Sequence, residues 1–420
     1  MGTQYRWESG NGAKLFRPGN GYQRSSPAAI ANGRLKQDTT HGGAAMKRTN
    51  WTAMLAAMIM STLTPGCLGG AEDGTDEYAE AVPEASMLAL SLDSDETATQ
   101  GLEVGTIEAA LPGDPAAFKA HARKVMENLN ALIDETHSEI DTLFAEVGPT
   151  TFKKGAFDCK VWETDGPKVH WRLASCVKDK KLKKYTFVLK GRPLASTGDE
   201  DYLVVVAGEG KVLPRQENGK RGSGTIGYNF DNLNTLNGRP VAGKLGIGYK
   251  AVGSTRHLVI GLNHVTGPKL ATEMHGIYRY HRVIGQGGRF SFLGFGDYLA
   301  KDGEKLVIGQ DQLDEFVRAA IGWRATGDAR TVLAACGGSV GDEQCIRIAQ
   351  CWSKEDAVTF DDAAVGDGSD KAPMWDKTQC AEIPYSVDDL PGDDDLEPPE
   401  SLDPEAGAPM VPEPEDSSER

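Results

Sequence analysis

The chain has 420 residues, 39% of them apolar and 25% charged, and a net charge of −16. The apolar and aromatic content supports a folded core, and 61 acidic against 45 basic side chains excludes a protein held on nucleic acid by bulk positive charge. The charge is uneven: residues 1–67 carry +6, 68–114 carry −12 without a Lys or Arg, and 387–420 carry −12, which leaves 115–386 at +2.

Residues 1–45 show no leader pattern, and we read them as an over-extended start. Met46 opens a better one. Lys47 and Arg48 precede residues 51–63 (WTAMLAAMIMSTL), an uncharged, mostly apolar run of 13 residues. A bilayer span needs roughly 20, whereas the apolar part of a secretory leader needs about 7–15. A short buried helix is the alternative, but it would show polar positions at helical spacing. Leu63-Thr64-Pro65-Gly66-Cys67 follows. This segment resembles the lipobox of bacterial lipoproteins, with the leucine four residues before the cysteine where three is usual. The resemblance implies a signal peptide at 46–66, acylation of Cys67 as the mature N-terminus, and a membrane held through the lipid anchor. Each buried CH₂ of such an anchor adds about 0.8 kcal/mol. Leu68, where an Asp would mark inner-membrane retention, implies the outer membrane, with an envelope or extracellular partner whose identity the sequence does not give.

Six further cysteines, Cys159, Cys176, Cys336, Cys345, Cys351 and Cys380, form an even set in a chain expected to be exported and read as disulfides. Sequence alone does not choose among their pairings. Proximity suggests Cys159–Cys176 across a hairpin, Cys336–Cys345 across a glycine-rich loop and Cys351–Cys380 around a long excursion, each adding roughly 2–4 kcal/mol. There is no C-x₂-C pair to suggest zinc.

Residues 67–113 read as an acidic, disordered linker. Asp114-Pro115 then suits the start of a helix, as N-cap and first helical residue. Phe118, Ala122, Val125, Leu129, Leu132, Ile133, Ile140 and Leu143 recur at a 3–4 spacing, and Gly148-Pro149 ends the segment 114–149. One apolar stripe calls for a sheet beneath it; a coiled coil with another chain is the alternative, though Thr136 and Ile140 break a strict heptad. From about 150 to 312 the period changes to two, with strands expected near 155–163, 168–177, 183–190, 201–207, 223–231, 242–251, 256–265, 274–284, 288–298 and 304–309. Short connections between them mean an antiparallel meander. Residues 313–386 form a cysteine-rich part of the same folded unit, with a helical turn at 312–321 and strands near 331–335 and 344–354. The acidic, proline-rich tail 387–420 is expected to be disordered.

The strand GSGTIGYNFDNLNTL (222–236), the strand GKLGIGYK (243–250), Trp323 with Thr326-Gly327-Asp328-Ala329-Arg330, and Cys351-Trp352 with Cys380 together resemble a group of uncharacterised exported lipoproteins of myxobacterial type. The resemblance covers roughly 220–380. It implies a β-rich antiparallel fold with a cysteine-stapled C-terminal hairpin, and carries no activity to any residue.

Several motifs bear on chemistry. Gly222-x-Gly224-x-x-Gly227 matches the dinucleotide fingerprint but enters an alternating strand instead of a helix, so the glycines read as close sheet packing. Gly337-Gly338-Ser339-Val340-Gly341 matches a nucleophile elbow, yet every histidine precedes residue 282, against the hydrolase order. His275 and His281 fall on one strand face and suit zinc or copper, with Arg279 between them opposing a cation. Asp361, Asp362, Asp367 and Asp370 read as an acidic loop that suits Ca²⁺, without the EF-hand spacing. Trp162, Trp171, Tyr228, Tyr249 and Phe292 either line a ligand cavity on a concave sheet or form ordinary core under the helix.

The sequence thus specifies an α+β fold: a long N-terminal amphipathic helix packed on an antiparallel β-meander (a curved sheet, sandwich or half-barrel), stapled by disulfides. The expected function is that of a lipid-anchored cell-envelope protein acting as a binding or structural module without catalysis. A carrier of an apolar ligand in a β-sheet cavity is the second reading, and a hydrolase or metal-dependent enzyme the third.

Overall fold

Alternation of apolar and polar residues dictates most of the structure, because successive side chains of a strand leave opposite faces. The computed structural model describes residues 76–92, 112–114, 116–154, 157–213, 222–268, 270, 273–303, 305–308, 311–342, 344–366 and 380. The segment 46–66 read as a leader, Cys67, Asp367, Asp370 and the tail 387–420 lie outside the described residues.

The strands in chain order are β1 (Thr150–Lys154), β2 (Phe157–Asp165), β3 (Val169–Asp179), β4 (Lys184–Pro193), β5 (Leu203–Val212), β6 (Gly222–Asn229), β7 (Ala242–Val252) and β8 (Thr255–Thr266). Then come β9 (Met274–Val283), β10 (Gly287–Gly296), β11 (Leu299–Asp302), β12 (Lys305–Ile308), β13 (Glu315–Arg324), β14 (Ala329–Cys336), β15 (Cys345–Trp352) and β16 (Val358–Gly366). Fourteen of them form one antiparallel sheet in which every strand pairs with its neighbours in sequence; β11 and β12 make a separate hairpin between β10 and β13. The strands β13–β16 extend the same sheet, so the C-terminal region is continuous with the meander.

Among the described residues four α-helices accompany the sheet: α1 (Glu77–Glu80), α2 (Ala85–Leu88), α3 (Ala117–Glu146) and α4 (Phe230–Asn237). Phe118, Met126, Leu129, Ile133, Ile140 and Leu143 of α3 are buried in one apolar cluster with Trp162, Leu173, Phe187, Ile226, Ile247, Ile260, Phe290, Ile321 and Ile348 from successive strands. Near its C-terminal end Phe144 meets Trp162 of β2 edge-on at 5.1 Å. Near its N-terminal end Phe118 faces Leu333 of β14. Those two phenylalanines are about 39 Å apart along a helix rising 1.5 Å per residue. The ten strand spacings from β2 to β14 measure about 48 Å along the sheet. The helix thus reaches across the strands from β2 to β14.

Buried polar groups fasten the helix. The Lys119 ammonium donates to the Gly327 carbonyl (3.1 Å) and pairs with Asp356, which Arg123 also reaches at 3.3 Å. In the helix middle, Nε2 of His137 meets the Pro83 carbonyl at 2.9 Å and Nδ1 meets the Tyr228 hydroxyl at 3.0 Å. A carbonyl only accepts, so Nε2 carries the proton and Nδ1 accepts from the tyrosine.

The three disulfides are Cys159–Cys176, Cys336–Cys345 and Cys351–Cys380, the pairs that sequence proximity suggests. The first two join direct cross-strand partners, in β2–β3 and β14–β15.

Several expectations differ from the structure. Residues 76–92 fall in the stretch read as a disordered linker, but Met87, Leu88, Leu90 and Leu92 are buried in the core. The Asn130 side chain closes two 2.8 Å hydrogen bonds with the Leu90 backbone. Gly210 and Gly224 are cross-strand partners, and a Cβ on Gly210 would lie 1.8 Å from the Ala81 carbonyl oxygen, so glycine is what lets this segment lie on the sheet. Asp114 is not the cap of α3: its carbonyl accepts the Val358 N–H at 2.7 Å, and Ala116 at the cap position makes no side-chain bond. The alternation Ile226-x-Tyr228-x-Phe230 stops a residue early, because Asn229 caps α4 by accepting from Asn232 N–H (3.0 Å) and Gly238 closes it in the left-handed conformation. The helical turn expected at 312–321 is strand β13, with Val317, Ile321 and Trp323 facing inward. The acidic loop at 361–370 begins as strand, since Asp361 and Asp362 lie within β16.

Candidate ligand cavity

A cavity of about 70 Å³ lies between the first half of α3 and the strands β9, β10, β13 and β14. Phe118, His121, Ala122 and Val125 supply the helix wall, at the spacing that puts residues on one helical face. Tyr278, Phe292, Ala319 and Leu333 are successive cross-strand partners and form one row of the sheet wall. The void has a plain origin. Ala319 stands between Phe292 and Leu333, Ala335 sits on the next row, and Ala122 faces them from the helix; three methyl groups do not fill what larger neighbours frame.

Aromatic rings stiffen one side. The rings of Tyr278 and Phe292 stack at 4.4 Å between centroids, and Tyr298 meets Phe292 edge-on at 5.5 Å. Tyr298 and Leu299 reach the wall through Glu315. This carboxylate is fully buried, and it accepts the N–H groups of Tyr298 (2.9 Å), Leu299 (3.0 Å) and Ser339 (2.8 Å). Asp297 closes the same excursion by accepting from Asp311 N–H (3.0 Å) and Gln312 N–H (2.8 Å).

The walls are nearly all apolar, with three polar groups among them: the His121 imidazole and the hydroxyls of Tyr278 and Tyr298. Burial pushes the His121 pKa down to about 4, so the ring is neutral at physiological pH. Burial raises the pKa of Tyr278 and of Tyr298, the latter helped by the nearby charges of Asp314 and Glu315. The cavity therefore presents neutral donors and acceptors on an apolar surface. At that size it has room for several waters, and is about half the volume of the roughly 150 Å³ cavity that takes up benzene in another protein, so a ring would enter only as the walls give way.

Of the aromatic residues expected to line a cavity, Phe292 does so. Trp162, Trp171, Tyr228 and Tyr249 are core residues packed under helices, as with Trp162 on Phe144 and Tyr228 on His137. His121 carried no sequence signal beyond its place on the apolar stripe.

The metal candidates do not converge. Asp361 and Asp362 are consecutive in a strand and point to opposite faces; Asp361 accepts from the Gln350 side chain at 2.9 Å on the inner face. His281 stacks on His257 at 4.2 Å, while His275 lies near His264 at 4.9 Å, as two separate pairs on the outer face. Among the described residues no group of three or more His, Cys, Asp or Glu could hold a metal ion. Ser339 of the G-x-S-x-G motif sits in a 3₁₀ turn, where its hydroxyl contacts the Leu299 carbonyl and Asp311, so its bonds are those of a loop staple. The G-x-G-x-x-G glycines lie within β6.

No protein-family model matches the chain, and neither a curated protein nor a solved structure matches it.

Proposed function

We propose that this chain is an exported, lipid-anchored envelope protein whose folded part is a binding module for a small neutral apolar molecule carrying one hydrogen-bonding group. In this reading the sheet is a half-barrel around the long amphipathic helix α3, and the ligand lies between them. The observation that carries it is the cavity itself: apolar walls, with a neutral imidazole and two neutral phenols. A charged ligand would lose its hydration there without an opposite charge to replace it. The leader-like run and the segment ending in Cys67 support the address, and three disulfides suit an oxidising compartment.

The test uses the full mature chain with indole, p-cresol and benzene as probes. Saturable binding is expected, with stabilisation of about 2.7 kcal/mol at a hundredfold excess over Kd. Ala319→Phe should fill the void and abolish binding while the far-UV spectrum stays unchanged. Failure of the folded protein to take up any of the three probes, or undiminished uptake by the Ala319→Phe variant, would sink the reading. Intact-mass measurement of native material tests the address separately, with acylated Cys67 expected as the first residue.

A further inference from the structure

Cross-strand register lines up basic residues on the outer face, four of them cations and two, His257 and His281, imidazoles whose pKa is lowered by burial. Lys211, Lys250, His257, His281, Arg289 and Arg330 occupy one row from β5 to β14, in which each position is the direct partner of the next and only Ser223 and Gly322 intervene. Their neighbours in sequence on the same strands, such as Tyr249, Leu258, Tyr280 and Phe290, belong to the core, so the row faces away from α3. Arg279, Arg318 and Arg347 lie on the two adjoining rows. A basic face of this extent contrasts with the net charge of −16 of the whole chain.

The row ends beside a staple. The next partner of Arg330 is Cys351, which is bonded to Cys380. The chain thus returns to the outer face at the end of the basic row, and seven residues later enters the segment 387–420, with 13 acidic side chains and one Arg. Reach is ample. The seven strand spacings from β14 back to β5 cover about 34 Å, and 34 residues extended span up to about 110 Å.

We propose that the acidic segment 387–420 lies along the Lys211–Arg330 row and covers the outer face of the sheet as an intramolecular partner. The Cys351–Cys380 bridge fixes its entry point, and charge complementarity holds the remainder. Without it, the same face would attract anionic surfaces such as lipid headgroups. The inference is independent of the cavity reading.

Zero-length carbodiimide cross-linking of the full native chain tests it, because only carboxylates in contact with lysines are joined. Mass spectrometry should find peptides of 387–420 joined to Lys211 or Lys250 within one molecule, with yields falling at least fivefold between 50 and 500 mM salt. The double variant Arg289→Glu, Arg330→Glu in the full chain should lower the yield comparably. Replacement of the 13 tail acids by Asn or Gln should raise binding to phosphatidylglycerol vesicles at least tenfold. Tail carboxylates joined only to lysines elsewhere, or salt-independent yields, would overturn the proposal. So would equal vesicle binding by the native and neutralised-tail chains, which would assign the face to an external anionic surface.

Discussion

His121 makes the stability of this protein fall on mild acidification, by an amount that can be worked out. Its imidazole lines the cavity, and burial pushes its pKa down to about 4. In the unfolded chain the same ring titrates near 6.5. Between those values the unfolded state binds more protons than the native state, so stability is complete above pH 6.5 and is lost as pH falls toward 4. At pH 5 the ring contributes a loss of RT ln[(1 + 10^1.5)/(1 + 10^−1)], or about 2 kcal/mol. His137, buried between Pro83 and Tyr228, has its pKa lowered by burial too and adds in the same direction. Substituting His121→Phe isolates the first contribution, since the larger ring has the void beside it to enter. Urea unfolding of the wild type and the variant at pH 7.5 and pH 5.0 gives the comparison. The wild type should lose about 2 kcal/mol more than the variant. A variant that loses as much stability as the wild type would refute the argument and place the imidazole in contact with water.

Two further predictions test how the walls are held. Gly210→Ala places a methyl group on the Ala81 carbonyl and should destabilise by about 1–3 kcal/mol, with new protease cleavage confined to residues 76–92; unchanged stability would mean that this segment does not rest on the sheet. Glu315→Gln turns an amide NH₂ toward at least one of three backbone donors and should lower stability by about 1–3 kcal/mol in calorimetry, while weakening probe uptake through displacement of Tyr298 and Leu299; an unaltered melting curve would contradict the buried three-donor geometry.

The meander was legible because its signal is local. Leu245, Ile247 and Tyr249, or Leu258, Ile260 and Leu262, alternate with polar or glycine positions, and the short turns between such runs leave antiparallel neighbours as the simple outcome. Cys159 and Cys176 were legible for the same reason, since a hairpin that joins their strands brings them opposite each other. Composition misled where it averaged over too many residues. Twelve acids in 68–114 hide Met87, Leu88, Leu90 and Leu92, whose burial docks the segment 76–92 against α3 and the sheet. Alanines misled in another way. In Glu315–Arg324, Ala319 and Ala320 fit either period, so Phe316, Val317, Ala320 and Ile321 read as a helical face, although the pairing with β10 and β14 makes the segment a strand. Asp361 and Asp362 suggested a loop, but a strand with one face outward and Gln350 opposite on the other accommodates both carboxylates.

Of the cavity walls the sequence offered only Phe292, and the reason it offered no more is physical. Ala122, Ala319 and Ala335 come from a helix and two strands, and none is unusual where it stands. They leave a void only because register sets Ala319 between Phe292 and Leu333, and because that row lies beneath the first turns of α3. The same register that aligns small residues inside aligns Lys250, His257, His281 and Arg289 outside, since a one-residue slip in any strand would exchange its two faces. An inner void and an outer basic row are therefore consequences of a single strand alignment. A substitution that shifted the register of β9 or β10 would be expected to lose both together, whereas filling the void should leave the outer row intact.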